Sequence, residues 1–394
     1  MSLIRRDLHN QALNLLLFPL ACMVVFIHVF SGSSLTAQCN DSDFPFVRFM
    51  ILFARSFFSG QCVPIYFFIA GFVFFQGMNL SMHSYDRKMN DRFKSLFIPY
   101  LAWNTLGMLL ILISNISIFS GPYVLSGVIP DIHISNIINM YWNGVEGIAY
   151  HIGDSVSCSV SQNMNTYPVD SPLWFVRDLM IVSVSAPVLN ILLKRFGIWF
   201  SVVAGILWLS LPQAGLGHAY QLITAYFFFS SGAYMSFDNR CLLADLKWIR
   251  VFSFVLYPVI ASGLLIYSYT DYCDAKMIIE CGYGFGPACY FKQLAVLAGL
   301  PFAYNIAVMI VDRWKIKALS TLAAASFFIY AGHMLFVSLV ETLLSMIIKP
   351  VTDLEIIVIL TLSVLLLIFC LLDIFIVMRK YIPKLLSLFT GGCF

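Results

Sequence analysis

Residues 17–32 read LFPLACMVVFIHVFSG, a run with no formal charge and a single histidine, His28. With the apolar residues just before it, the stretch reaches the ~20 residues that a helix needs to cross about 30 Å of hydrocarbon. Nine more windows of this kind follow. Together the ten cover about 12–31, 50–76, 95–117, 173–193, 197–213, 218–236, 249–268, 291–311, 318–346 and 355–378. Of the 394 residues, 60% are apolar and 11% charged, whereas soluble domains carry about 25% charged residues. The runs are continuous and lack the two-residue alternation of a membrane barrel strand. The chain reads as an all-α polytopic membrane protein, a bundle of about ten transmembrane helices forming one domain over 1–394.

Basic residues mark cytoplasmic loops, and here they fall at every second connection. Arg5 and Arg6 precede the first window, and Arg87, Lys88, Arg92 and Lys94 follow the second. Lys194 and Arg195 follow the fourth, then Arg240, Lys247 and Arg250 the sixth. Arg313, Lys315 and Lys317 follow the eighth, and Arg379, Lys380 and Lys384 the last; these make 17 of the 23 basic residues. Both termini are therefore expected in the cytoplasm, with outward segments at about 118–172 and 269–290. The net charge of +3 reports topology, with no basic patch for nucleic acid. The first apolar run exceeds the 7–15 residues of a signal-peptide core, so it reads as a retained span.

Cys39, Cys158, Cys273, Cys281 and Cys289 fall in outward segments, where an oxidising compartment allows one or two disulfides of unspecified pairing. No CxxC pair occurs, and no metal site is expected. YWNGVEGIAYHIG (141–153) reads as an interfacial half-helix. No repeat relates the two halves, which weighs against transporters built from paired repeats.

Ionisable side chains inside spans cost about 2.5–3.5 kcal/mol each and invite a functional reading. At 1.5 Å per residue, His28 lies roughly 24 Å from the cytoplasmic edge and His333 roughly 22 Å. Arg55 and Arg177 lie roughly 8 and 6 Å below the outer edge. Four residues from four spans thus share one layer in the outer half. Taken singly, each histidine also fits a structural hydrogen bond, His333 with Tyr330 for instance, and each arginine also fits snorkelling. Taken together, they suit proton transfer by histidine with an arginine holding or stabilising an anion. The other histidines, His9, His83, His133, His151 and His218, fall in loops or at span ends. GxSxG, P-loop and HExxH motifs are missing, which leaves hydrolase and ATPase readings without support.

Six stretches then occur in order: VVFIHVF (24–30), VPIYFFIAGFVFF (63–75), RFKSLFIPYLAW (92–103), PLWFVRDL (172–179), YFFFSSGAY (226–234) and SFFIYAGHMLF (326–336). Across nearly the whole chain they resemble the acyltransferase-3 family of integral membrane proteins, which O-acylate extracytoplasmic acceptors. The resemblance implies an inner-membrane O-acyltransferase, using acetyl-CoA at the cytoplasmic side and a hydroxyl of a polysaccharide or glycolipid outside. It implies His28 as catalytic base supported by His333, with Arg55, Arg177, Trp174 and Tyr330 for the acceptor. Arg92, Lys94 and Arg87 would meet the donor phosphates, where fixed basic groups are suited to bind. The implied partners are the glycan or glycolipid acceptor and membrane lipid. The sequence departs from the family pattern at Leu17 and Ser95, where arginines are usual, and at Ala70-Gly71, where Ser-Gly is usual. A permease using the same polar layer, or a catalytically silent relative, are the alternative readings.

Overall fold

Over their described residues, all ten windows are mainly helical. The computed structural model describes residues 3–32, 35–36, 44–76, 82–114, 126–127, 134–142, 150–151, 167–211, 218–236, 247–270, 287–315 and 319–392. The helices are α1 (Leu3–Gly32), α2 (Pro45–Ala54), α3 (Cys62–Phe75), α4 (Met82–Arg92), α5 (Ile98–Ser114), α6 (Ile134–Trp142), α7 (Trp174–Val184), α8 (Ala186–Phe196), α9 (Ile198–Ser210), α10 (His218–Ser236), α11 (Arg250–Thr270), α12 (Pro287–Arg313), α13 (Ser320–Ile348), α14 (Asp353–Tyr381) and α15 (Pro383–Thr390). Two π-helical turns, Arg55–Ser59 and Phe93–Phe97, join α2 to α3 and α4 to α5. Strand pairing among the described residues is limited to Ser126 with His151 and Gly127 with Tyr150.

By length and composition, six described segments suffice to cross a membrane: Leu8–Gly32, Pro45–Phe75, Arg250–Thr270, Cys289–Arg313, Ser320–Ile348 and Asp353–Tyr381. The window 173–193 is broken. Its halves bend by 64° at Ser185 and make a seventh span only if counted as one. Pro187 lies in the first turn of α8, and a proline there has no N–H to continue the preceding helix. At 13 residues α9 is too short to cross alone. The ten crossings expected from hydropathy are thus six or seven by this measure. Of the interfacial half-helix expected at 141–153, Tyr141 and Trp142 close α6 and Tyr150 and His151 join the strand pairing, while residues 143–149 and 152–153 lie outside the described residues. Likewise α11 runs through Thr270 and α12 begins at Pro287, shortening the second outward segment at both ends.

The chain divides into two compact units. The first comprises residues 1–20, 55–93 and 178–323. Its centre is the pairing of α3 with α10, built on glycine. A Cβ on Gly71 would lie 2.1 Å from the Phe229 carbonyl oxygen, and one on Gly232 would lie 2.0 Å from that of Phe68. Backbone therefore meets backbone, the small-residue packing of membrane helices, with Phe74 and Phe75 against Phe229 on the flank. Elsewhere in this unit, Tyr257 and Ala261 of α11 pack on Ala298 and Phe302 of α12. Trp208 of α9 donates to the Thr224 hydroxyl of α10 at 3.0 Å.

The second unit comprises residues 21–54, 94–177 and 324–394. Its wedge is Trp103, 2% exposed, which sits edge-on to Phe328 and Phe389. The indole N–H donates to the Phe389 carbonyl at 3.0 Å, and Gly332 leaves the space that the ring fills. Thr352 and Glu355 form a capping box at the start of α14. The neighbouring Asp353 carboxylate accepts the N–H groups of Phe46 and Val47 at 3.2 Å each, so one residue caps a helix 306 positions away. Removing a cap costs about 0.5–2 kcal/mol. Asp353→Ala should therefore lower the unfolding temperature of the detergent-solubilised protein, measurably more than an exposed change such as Leu354→Ala.

Candidate functional site

The second unit brings His28 of α1 and His333 of α13 into direct contact, Nδ1 of His28 to Nε2 of His333 at 2.7 Å. The rings stack at 5.0 Å with 11° between planes. Their tautomers follow from what lies behind them. His333 Nδ1 is 2.7 Å from the Tyr330 carbonyl oxygen, which only accepts, so this nitrogen carries the proton. In neutral His333 the lone pair is then on Nε2, which obliges His28 to donate from Nδ1. What remains is a lone pair on Nε2 of His28. That residue is half-buried, whereas His333 is fully enclosed. The pair thus presents one basic nitrogen and one imidazole that holds it in register. An orienting acceptor behind the base is the arrangement of catalytic triads, with a neutral histidine in the place of the carboxylate.

The layer beneath the pair ties α13 to the entry of α7. The Tyr330 hydroxyl donates to the Pro172 carbonyl at 2.6 Å, and Phe175 meets the Tyr330 ring edge-on. Trp174, at the head of α7, is half-buried. Arg177 is fully buried, with one guanidinium nitrogen donating to the Trp142 carbonyl at 2.7 Å and the group lying 5.8 Å from that indole ring centre. Residues 170–172 close the segment expected to lie outward, yet Asp170 and Pro172 are buried.

Arg55 belongs to the first unit and opens its π turn. Arg92, which closes α4, lies 5.5 Å from the centre of the Phe74 ring, and Arg87 is exposed. Beside them, Lys88 donates to the Phe74 carbonyl at the end of α3. Its own burial and then the charges of Arg92 and Arg87 hold its pKa below the usual lysine range. Three cations thus share one small area of this unit. Lys94 is exposed in the second π turn and lies in the second unit. The two positions where arginine is usual lie in close contacts. The Leu17 carbonyl accepts from the Tyr66 hydroxyl at 2.8 Å. At Ser95, Gly391 approaches so closely that a Cβ on it would lie 2.3 Å from the serine Cα.

Three features escaped sequence reasoning. Asp170 is 1% exposed, and neither carboxyl oxygen has a hydrogen-bond partner among the described residues. Its N–H donates to the Asn104 side-chain oxygen at 3.1 Å, and its carbonyl accepts from the Leu173 N–H at 3.0 Å. Burial pushes its pKa well above the usual carboxylate range. His218, at the head of α10, hydrogen-bonds Asp178 at 2.9 Å. His9 is buried against Phe72 and lies 2.8 Å from the Tyr304 hydroxyl. The position of Asp170, two residues before the Pro-Leu-Trp stretch, was the available signal; its burial follows from a tertiary contact. Cys289 is buried near the start of α12. Cys39, Cys158, Cys273 and Cys281 lie outside the described residues, as does His133. No group of three metal-ligating side chains occurs among the described residues.

No curated protein and no solved structure matches the chain. A family profile does, described as an acyltransferase domain and aligned over residues 10–373. It spans parts of both units and every site residue expected from the sequence. The chain, a multi-pass membrane protein, belongs to the acyltransferase-3 family.

Proposed function

We propose that this acyltransferase moves an acetyl group from cytoplasmic acetyl-CoA to a hydroxyl of an extracytoplasmic polysaccharide or glycolipid, in the inner membrane, through about ten crossings with both termini cytoplasmic. The observation that carries the reading is the basic Nε2 of His28, left available by the His333 and Tyr330 contacts. In direct transfer His28 takes the proton of the acceptor hydroxyl as its oxygen attacks the thioester carbonyl. The C–S bond then breaks, and the thiolate of CoA recovers that proton from His28. An acyl-enzyme route uses the same base in two stages. His333 keeps the imidazolium of His28 hydrogen-bonded, and Tyr330 positions His333 through Pro172. Arg177 and Trp174 flank the acceptor. Arg92 and Arg87 meet the donor phosphates, and Lys88, anchored on Phe74, adds to their positive field.

Mass spectrometry of the surface glycan, with and without this protein, tests the assignment. A mass difference of one acetyl group per modified residue is expected, lost when the gene is deleted and regained on complementation. An unchanged glycan and glycolipid profile would overturn it.

The reading as a silent relative draws on Leu17 and Ser95, since the family's usual arginines are absent there. If donor binding has weakened through Leu17, Leu17→Arg should lower the KM for acetyl-CoA. No change would mark Leu17 as a tolerated variant.

A further inference from the structure

One buried group at the entry of α7 takes no part in the chemistry above. The carboxyl of Asp170 is enclosed, and neither oxygen has a hydrogen-bond partner among the described residues. Asp170 is the N-cap of the 3₁₀ turn Ser171–Leu173, yet its side chain makes no capping bond. Pro172 has no N–H to offer, and the Leu173 N–H is taken by the Asp170 carbonyl. The polar side chains of this layer are committed to other atoms. Asn104 accepts from the Asp170 N–H and donates to the Tyr100 carbonyl at 2.8 Å. Arg177 and Tyr330 donate to the carbonyls of Trp142 and Pro172. The neighbouring residue fixes the backbone: Val169 donates to the Met140 carbonyl at 2.9 Å. Its side chain and that of Leu335 in α13 converge on Gly107 of α5, where a Cβ would lie 3.1 Å from the first and 3.3 Å from the second.

Two offsets bring this carboxyl level with the imidazole pair. The Tyr330 hydroxyl meets the Pro172 carbonyl, and His333 follows Tyr330 along α13 by roughly 4.5 Å at 1.5 Å per residue. Asp170 precedes Pro172 by roughly 4 Å at the rise of a 3₁₀ turn. With α13 running outward and α7 inward, as the distribution of Lys and Arg sets them, both displacements run outward. Helical side chains lean toward the N-terminus, so Tyr330 meets the turn on the cytoplasmic flank of His333, the side from which a thioester arrives. A buried carboxyl with no partner keeps its proton, and burial pushes its pKa well above the usual carboxylate range. It is a donor without an acceptor, and acyl transfer creates one. We propose that Asp170 is the oxyanion donor of this acyltransferase, hydrogen-bonding the thioester carbonyl oxygen and holding the negative charge that develops there. The inference rests on the acyltransferase reading in naming the thioester as its partner. As the acceptor oxygen attacks, His28 takes the acceptor proton and the carbonyl π electrons move onto oxygen, toward the Asp170 O–H, which stays on Asp170. The carbonyl then re-forms, the C–S bond breaks, and the thiolate recovers the proton from His28.

The test uses the full chain in nanodiscs, with acetyl-CoA labelled at the carbonyl by carbon-13 as probe and no acceptor present. In His28→Ala the infrared carbonyl band of the bound thioester should lie below that of free acetyl-CoA. Adding Asp170→Leu should return the band to its free position, and adding Asp170→Asn, whose amide still donates, should keep the downshift. This readout needs no transfer, so failure of the His28 assignment and failure of this one are separate results. With His28 intact and polysaccharide from cells lacking the protein as acceptor, Asp170→Leu should lower kcat at least 100-fold, as loss of one oxyanion donor does. Its KM for acetyl-CoA should stay within threefold of the parent's. Leu keeps the forked shape and removes the unserved polar atoms, so its unfolding temperature should equal or exceed the parent's. Asp170→Asn should transfer within tenfold of the parent. An unmoved band in the Leu variant, turnover of Asp170→Leu within threefold of the parent, or Asp170→Asn as slow as Asp170→Leu overturns the proposal. No saturable binding of acetyl-CoA overturns it together with the donor reading.

Discussion

His28→Ala should abolish glycan acylation, lowering it at least 100-fold at equal membrane abundance. General-base assistance contributes about 10²–10⁴-fold, and the contact at 2.7 Å leaves His28 as the member of the pair with a half-exposed ring. His333→Ala should act differently. The base remains, but its tautomer is no longer dictated and its ring is free to turn, and misplacement of this kind costs on the order of 100-fold. His333→Gln, whose amide oxygen reaches the place of Nε2 and can still accept from Nδ1 of His28, should recover part of the loss. Quantifying acetyl groups on the isolated glycan by mass spectrometry distinguishes these outcomes. Full acylation by His28→Ala would remove His28 from the chemistry altogether.

Gly232→Val should have the largest effect on stability. The Cβ position lies 2.0 Å from the Phe68 carbonyl oxygen and 2.9 Å from the Phe72 nitrogen. These are backbone atoms of α3, so no side-chain rotation relieves the clash. Overpacking typically costs about 1–3 kcal/mol when side chains yield, and here two helices must move apart. A loss of about 3 kcal/mol or more is expected. At roughly 2–4 °C per kcal/mol this lowers the unfolding temperature by on the order of 10 °C. The reciprocal change, Gly71→Ala, meets the Phe229 carbonyl at 2.1 Å and should be costly for so small a substitution. Thermal unfolding in detergent measures both, with Gly263→Ala as control, because a Cβ there meets nothing within 4 Å. Equal unfolding temperatures for Gly232→Val and the control would refute the tight α3–α10 contact.

These two changes mark different degrees of legibility. The mainly helical character of the described part of all ten windows followed from hydropathy, because each run is predominantly apolar, and 218–236 coincides with α10 to the residue. The number of crossings did not follow in the same way. Proline at 187 and the 13-residue length of α9 interrupt runs that a sliding average treats as whole. Gly232 was visible within YFFFSSGAY, but its need for zero volume depends on a carbonyl 164 residues away in the chain.

The candidate site divides along the same line. Sequence alone determined an all-helical, multi-pass membrane chain with the acyltransferase-3 landmarks, and it singled out His28 and His333 as ionisable groups costly enough in a span to require explanation. Those properties depend on composition and order, which are local. Only the tertiary structure decided that the two imidazoles touch, that the Tyr330 carbonyl sets their tautomers, and that Asp170 lies buried without a partner for its carboxyl among the described residues. It likewise laid the Lys292 side chain across Gly60. The physical reason is that a hydrogen bond acts over about 3 Å, while the residues it joins here are 305 positions apart. Hydropathy fixes the depth of a residue to within several ångströms, but the rotation of each helix about its axis is settled only by packing.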